Sequence, residues 1–377
     1  MVKAMIKRGH EVTVICEFPN YPSGKLRDED KGRLFRVEYD GSCKIIRTFV
    51  WTAAEKNNLL RMLFYLSFAF SSLLAGLFTK RHDLVFASSP PIFHTASAMI
   101  VAVVKRSKFV LDIRDLWPDT VIQVEAISAG LFMKIAARLE KLLYRKAEVI
   151  FATNKGIEKR VTDRGGAGKV HIAYNGSIKS ILDYKGDIEQ FRRDHSWADK
   201  IVVLYAGIIG LGQNLTNLVP LFKRYENEII FEIIGDGPQK AQLKEEVARL
   251  SLSNVKISDT MPMSKIIPYL CSADILLVVL RETKLFEITI PSKFFDCMAA
   301  GRPVIINVNG ETRAIMEEYQ TGKFFSASDP DTFSTALEFM INSPEERRRM
   351  GENGKKLVAA RFLRSVISNE AVEIMER

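Results

Sequence analysis

The segment from Phe286 to Pro303 concentrates residue types that handle a phosphorylated ligand. Pro291-Ser292 reads as the start of a helix, whose first N–H groups have no partner inside the helix and suit an anion such as a diphosphate. Lys293 adds positive charge at the same place. One turn further on, Asp296 offers a carboxylate that accepts hydrogen bonds from ribose hydroxyls. Gly301 fits the end of this helix and Pro303 the turn beyond it. Two glycine-bearing loops belong with it. Gly207-Ile-Ile-Gly210-Leu211-Gly212 follows the apolar run Ile201–Ala206 and opens a helix; glycines let backbone approach a phosphate, although the spacing is not G-x-G-x-x-G. Gly235-Asp-Gly237-Pro238 follows Ile229–Ile234 with proline at a helix start, and a tight strand-to-helix turn accounts for it equally well.

Other chemistries find little support. The four cysteines are scattered in apolar surroundings without C-x-x-C spacing, which reads as buried thiols in a reducing compartment. The five histidines form no metal-binding pattern, so no metal site is expected. Asp28-Glu29-Asp30 lies in a polar stretch, Gly24–Lys31, and reads as a solvated loop.

The elements that must position these groups alternate. Short apolar runs at Glu11–Cys16, Lys44–Phe49, Leu84–Ala87, Phe109–Asp112 and Val149–Ala152 read as strands, with helices at Thr95–Val104 and Leu131–Lys146. A polar stretch, Asp183–His195, reads as a linker. The alternation resumes with strands at Ile201–Ala206, Ile229–Ile234, Val255–Ile257, Ile275–Val279 and Val304–Ile306, and helices near 214–224, 238–250, 263–271 and 291–300. Strands separated by helices form parallel βαβ units, so two doubly wound Rossmann-like α/β domains are expected. Their expected spans are 1–180 and 181–377, with ligands at the carboxyl ends of the strands, where such sheets bind them. The length agrees, since a single core rarely grows past about 250–300 residues.

Charge is unevenly divided. The chain carries a net +9. Residues 1–180 hold 29 basic against 17 acidic residues, and residues 181–377 hold 25 against 28. An anionic partner is therefore expected on the first half. Met62–Thr79 has no charge and is bracketed by Arg61 and Lys80-Arg81. Three placements fit it: a buried helix, a helix lying in a membrane interface, or a short bilayer span. The helix at Leu131–Lys146 is amphipathic and basic, reading either as a solvated face or as a second membrane contact. Met1–Arg8 is charged and the next apolar run is too short for a signal peptide, so none is expected.

These motifs together resemble the retaining, GT4-like bacterial glycosyltransferases of the GT-B fold. The resemblance rests on Tyr205–Gly210, Gly235–Pro238, the Pro-Ser-Lys…Asp-Cys-Met-Ala-Ala-Gly segment, Ser88-Ser-Pro-Pro91, Leu111–Asp119 and Tyr174-Asn-Gly176. The Arg-Asp-Leu-Trp-Pro block resembles enzymes of O-antigen, capsule and exopolysaccharide assembly, including L-fucosamine transferases. The resemblance implies two Rossmann-like domains facing across a cleft, the first on the acceptor side, the second binding a nucleotide-sugar, with the last helix returning toward the first domain. Donor-binding residues would be Gly210, Leu211, Gly235, Gly237, Pro291, Ser292, Lys293 and Asp296. The family places two glutamates eight residues apart. The second position falls on Asp296; the first would fall on Ile288, with Glu287 one residue off and Glu282 as a competitor. Asp112, Arg114 and Asp115 occupy the place of a family His or Asp near the reacting sugar, and the implied catalytic set is Asp115, Glu287 and Arg114. Trp117-Pro118 would wall a sugar ring.

The implied activity is transfer of an N-acetylated amino sugar from a UDP-sugar to a lipid-diphosphate-linked saccharide, with retention and without metal or cofactor. The enzyme would sit in the cytoplasm against the inner, anionic face of the membrane; no nucleic-acid partner is expected. A nucleotide-sugar epimerase of the same fold, or a noncatalytic nucleotide-sugar-binding partner of a membrane assembly, stays open as an alternative. The family's first strand and glycine-rich loop are not found in the sequence, which predicts a gap beside Val12–Cys16.

Overall fold

The computed structural model describes residues 1–20, 24–52, 58–117, 119 and 131–377. The chain divides into two compact units: Met1–Ala173 with Ser368–Arg377, and Tyr174–Ile367. The divide falls slightly earlier than residue 180, and the last ten residues join the first unit.

Unit 1 carries strands β1 (Thr13–Glu17), β2 (Phe35–Asp40), β3 (Cys43–Thr48), β4 (Leu84–Ser89), β5 (Lys108–Ile113), β6 (Val149–Ala152) and β7 (Val170–Ile172). They form two sheets instead of a continuous one: β1-β3-β2, in which β2 is antiparallel to β3, and an all-parallel β4-β5-β6-β7. Its helices are α1 (Val2–Lys7), α2 (Asn58–Phe78), α3 (Ile92–Lys105), α4 (Leu131–Lys146) and α5 (Lys155–Val161). α2, α3 and α4 lie side by side, with α2 packed on β1 and β3 and α3 on β4 and β5. The end of the chain packs with α1, where Ala4 meets Ala371, Val372 and Met375, and Arg8 pairs with Glu376 at 2.5 Å.

In unit 2, β8 (Ile201–Ala206), β9 (Ile229–Ile234), β10 (Val255–Ser258), β11 (Ile275–Val278), β12 (Val304–Ile306) and β13 (Gly322–Phe324) form one parallel sheet in the order β10-β9-β8-β11-β12-β13. Its helices are α6 (Lys179–Leu182), α7 (Ile188–Asp194), α8 (Val219–Phe222), α9 (Lys240–Arg249), α10 (Met263–Ser272), α11 (Ser292–Ala299), α12 (Glu311–Glu318), α13 (Pro330–Asn342), α14 (Pro344–Leu357) and α15 (Arg364–Glu376), the last running into unit 1. One core, with α10, α11 and α12, covers one face; a second, with α8 and α13, covers the other. Both faces are buried, which is why β8 and β11 read as unbroken apolar runs and β9 as one interrupted by the buried Glu232. The parallel sheets establish the doubly wound α/β class.

Two sequence expectations are corrected. The stretch expected as a linker, Asp183–His195, contains α7, capped by Asp187, whose carboxylate accepts from Gln190 N at 2.9 Å. Arg192 ties α7 down, donating to the carbonyls of Ser272, Trp197 and Lys200 and to Asp274 at 3.0 Å. Asp274 in turn accepts from Val202 N at the start of β8. The acidic triplet is also not wholly solvated: Asp28 and Glu29 are exposed, but Asp30 is fully buried beneath Arg36 of β2, 2.7 Å away. The short helical turn at 28–30 points it inward.

The half-buried Arg192–Asp274 clasp predicts that Arg192→Ala leaves Asp274 and three carbonyls short of a donor. Unfolding by urea should show a loss of about 3 kcal/mol; a change under about 0.5 kcal/mol, the scale of ordinary surface substitutions, would show the clasp to be dispensable.

Candidate active site

In unit 2 the sheet delivers three segments to the same ends of its strands. Strand β8 ends at Tyr205-Ala206, and the loop from Gly207 interlocks with the loop after β9. Ile209 N donates to the carbonyl of Asp236 (2.8 Å) and Gln239 N to that of Ile209 (3.0 Å). The fit requires glycine: a Cβ on Gly235 would lie 1.9 Å from the Gly207 oxygen, and Gly237 has φ 151° against the Ile209 carbonyl. Gly210 accepts from Gln213 N and Asn214 N, while Ile208 and Leu211 project 60% and 57% exposed.

Lys293, in the first turn of α11, reaches into this corner. Its Nζ donates to Tyr205 Oη at 2.8 Å and lies 4.0 Å from the Tyr205 ring centre. Tyr205 Oη in turn donates to the carbonyl of Ile208 (2.6 Å), so the phenol links the lysine to the glycine loop. Among the described residues no carboxylate pairs with Lys293. Burial pulls its pKa down to about 8. The start of α11 at Pro291 has no side-chain cap, leaving the Ser292 and Lys293 N–H groups open to an outside acceptor.

One turn on, Asp296 is half-buried and accepts from Ser177 Oγ at 2.7 Å; burial raises its pKa, and the Ser177 bond and nearby Arg364 partly offset this. Glu287 is exposed on a short helical turn, with its backbone carbonyl held against Gly310. Glu282 is engaged elsewhere: it accepts from Ala327 N (2.6 Å) and Ser326 Oγ, closing the turn after β13. Sequence reasoning missed Glu311, in the first turn of α12, which accepts from Tyr174 Oη at 2.7 Å. The signal was available in Tyr174-Asn-Gly176, where Gly176 has φ 57° and a Cβ would strike the Phe362 carbonyl.

In unit 1 the candidates lie where β5 ends. Asp112 is in the strand, opposite Ser88 of β4 and Phe151 of β6. It is buried and accepts from Arg114 Nε (2.8 Å) and Ser88 Oγ (2.9 Å). The Arg114 guanidinium is thus bound to Asp112. Asp115 lies just past the strand, its pKa raised by burial and partly restored by Arg114. Trp117 is buried with its ring edge-on to Phe93, and Pro118 lies outside the described residues. His94, which the sequence gave no reason to single out, bonds the Ser88 carbonyl through Nε2 at 2.9 Å, and burial lowers its pKa. Among the described residues no group of His, Cys, Asp and Glu is arranged to hold a metal ion. All four thiols are free, three of them buried.

Residues 1–176 match the glycosyl transferase 4-like domain, and residues 187–357 match glycosyl transferases group 1. Both halves belong to glycosyltransferase families. The glycosyltransferase is similar in sequence to WcaI of Escherichia coli K12, a protein named for colanic acid biosynthesis, at 23% identity over 83% of this chain and 79% of that one. It is also similar to the alpha-D-kanosaminyltransferase of Streptomyces kanamyceticus, at 27% identity over 64% and 63% of the two chains. Among solved structures it is similar in fold to Anabaena HepE in complex with UDP-glucose, with a TM-score of 0.68, 17% identity and 82% of each chain covered. Sucrose-phosphate synthase from Thermosynechococcus elongatus gives a TM-score of 0.70 at 18% identity over 99% and 90% of the two chains. The fold is GT-B.

The depressed pKa of Lys293 has a signed consequence for stability. The unfolded lysine keeps its proton to about pH 10.4, whereas the native one releases it near pH 8. Between these values the unfolded chain binds more protons, so this lysine's contribution to stability rises with pH. Urea midpoints of the glycosyltransferase and of Lys293→Met, taken from pH 7.5 to 10, should therefore shift in favour of the unsubstituted protein; a constant difference would contradict the assignment.

Proposed function

We propose that this glycosyltransferase moves an N-acetylated amino sugar from a UDP-sugar to a lipid-diphosphate-linked saccharide, with retention, in surface polysaccharide biosynthesis. The observation that carries the proposal is the Lys293 corner: a cation without a carboxylate partner among the described residues, beside an uncapped helix start and a loop of closely fitted glycines. Such a corner suits a diphosphate, because it offers charge and backbone N–H groups without a competing anion. The HepE complex with UDP-glucose supports the donor class. The names of WcaI and of the kanosaminyltransferase support polysaccharide assembly and an amino-sugar donor.

In this reading Gly210, Leu211, Gly235 and Gly237 shape the phosphate and base side of the donor. Pro291, Ser292 and Lys293 hold the diphosphate, and Asp296 takes the ribose. Departure of the diphosphate builds negative charge, which Lys293 and the helix N–H groups stabilise as it forms. The acceptor hydroxyl attacks from the face the diphosphate leaves, and a diphosphate oxygen takes its proton, so the anomeric configuration is kept. Asp115 with Arg114 serves the reacting sugar, and Glu287 contacts the donor sugar. The proposed chemistry rests on positioning and fixed charge and calls on no metal. The acceptor places the enzyme at the cytoplasmic face of an anionic membrane.

Incubation with a panel of UDP-sugars and extracted lipid acceptor, read by mass spectrometry, should give one lipid carrying an added N-acetylhexosamine-type mass. Free UDP-sugar isomers with no lipid product would instead identify an epimerase. Lys293→Met should weaken UDP binding at least tenfold in calorimetry at pH 7, where the unsubstituted lysine is charged. Asp115→Asn and Asp296→Asn should each lower turnover by about 10²-fold; normal turnover in Asp115→Asn would move that role to another residue.

A further inference from the structure

Helix α2 is apolar on its outer side. Leu63, Leu66, Phe70, Leu74 and Phe78 are all exposed, from 41% to 88%, and their spacing of three and four residues sets them in one stripe. The stripe runs about 22 Å along the helix. Its inner side is pinned by hydroxyls: Ser67 Oγ accepts from Trp51 N (2.8 Å), and Ser71 Oγ donates to the Phe49 carbonyl (2.6 Å). Beside it, Ser97 of α3 donates to the Ala69 carbonyl, and Val101 packs on Gly76. The outer side of α3 continues the pattern with Ile100, Val103 and Val104, all exposed. Phe35 and Val37 of β2 extend it further. They lie opposite Thr48 and Ile46 of β3, on the face where Ser71 bonds Thr48. A contiguous exposed apolar area of this kind marks a surface that meets something other than water.

The charges around it all have one sign on the helices. α2 and α3 carry no Asp or Glu, and the single acid of α4, Glu140, is buried, held by Arg164 and Tyr144. The exposed side of α4 shows Lys134, Arg138, Lys141 and Arg145 around Ile135 and Leu142. Past the ends of α2 and α3 stand Lys80, Arg81, Arg106 and Lys108, against the acids Glu11 and Asp83. Glu11 is paired with Lys80 at 2.5 Å. Among the described residues no helix is long and apolar enough to cross a membrane. A fully buried helix is excluded by the exposed stripe, and the inner side of α2 packs along α3, β1 and β3. A second copy of the chain meeting this face would set basic helix against basic helix.

We infer that the outer face of α2, α3 and α4 seats the enzyme on an anionic bilayer, with α2 lying in the interface plane and α4 on the lipid phosphates. The apolar stripe enters the acyl boundary, and Lys and Arg beside it meet the headgroups. The inference deepens the lipid-linked reading above, on which it rests for its purpose, and its test needs neither donor nor acceptor.

Pelleting of the full chain with sucrose-loaded vesicles provides the test. Vesicles of 70:30 phosphatidylcholine and phosphatidylglycerol should bind it at least tenfold more tightly than phosphatidylcholine alone, and 0.5 M salt should weaken that binding. The double variant Phe70→Ser with Leu74→Ser should lose at least tenfold in affinity while keeping its circular-dichroism melting curve, since both side chains face solvent. Lys134→Gln and Lys141→Gln should each cost about fivefold and reduce the salt dependence. Binding indifferent to phosphatidylglycerol, or undiminished in the double variant, would overturn the inference. So would light scattering that shows a dimer dissolved by the same double variant, because the face would then be a contact between copies. Vesicle binding without sugar transfer would count against the proposed function alone; transfer to a lipid without vesicle binding would count against this face alone.

Discussion

A lysine that no carboxylate pairs with among the described residues sets the electrostatics of the corner where β8 and β9 end. An ammonium group is costly to bury, and among the described residues Lys293 leans on the Tyr205 phenol and its ring. The cost shows as its lowered pKa. Tyr205 fixes the ammonium, the interlocked glycine loops bring backbone close, and the uncapped start of α11 adds donors of its own.

The same economy recurs in unit 1 in opposite sign. Asp112 is a buried carboxylate near the end of a central strand, and its Oδ2 accepts from both Arg114 and Ser88. It therefore acts as a structural anchor for the segment that follows, and Asp115 is left as the carboxylate with a raised pKa just past the strand. The β4-β5-β6 register brings Ser88, Asp112 and Phe151 level with one another, so Ser88 and Asp112 meet near the carboxyl ends of the strands.

Much of the fold was legible because buried parallel strands are written as apolar runs; β6, β8, β9 and β12 match the sequence reading residue for residue. Strand β2 was not, since Phe-Arg-Val-Glu-Tyr-Asp alternates apolar and charged residues on a largely exposed edge. β7 and β13 are three residues long and hold no pattern. α7 escaped because its stability comes from Arg192 reaching residues about 80 positions away, which no local window contains. In the site, Lys293 and Asp296 were readable from residue type at a helix start. Tyr205 as the lysine's partner, Ser177 on Asp296 and Tyr174 on Glu311 were not, because each pair is separated by 88 or more residues. The departure at Glu287 was visible as a spacing, but only the structure shows that Glu282 is occupied by the turn after β13.

Helix α2 turns Ser67 and Ser71 toward the protein and Leu63, Leu66, Phe70, Leu74 and Phe78 away from it. Folding is therefore indifferent to the identity of the outward residues, because the hydroxyl bonds and the apolar packing of Tyr65, Phe68, Ala69 and Gly76 on the inner side hold the helix in place. Those positions are free to drift without unfolding the chain. On the proposed seating the stripe records habitat separately from the core, and related chains that work away from a lipid surface should show it eroded to polar residues while the inward serines persist.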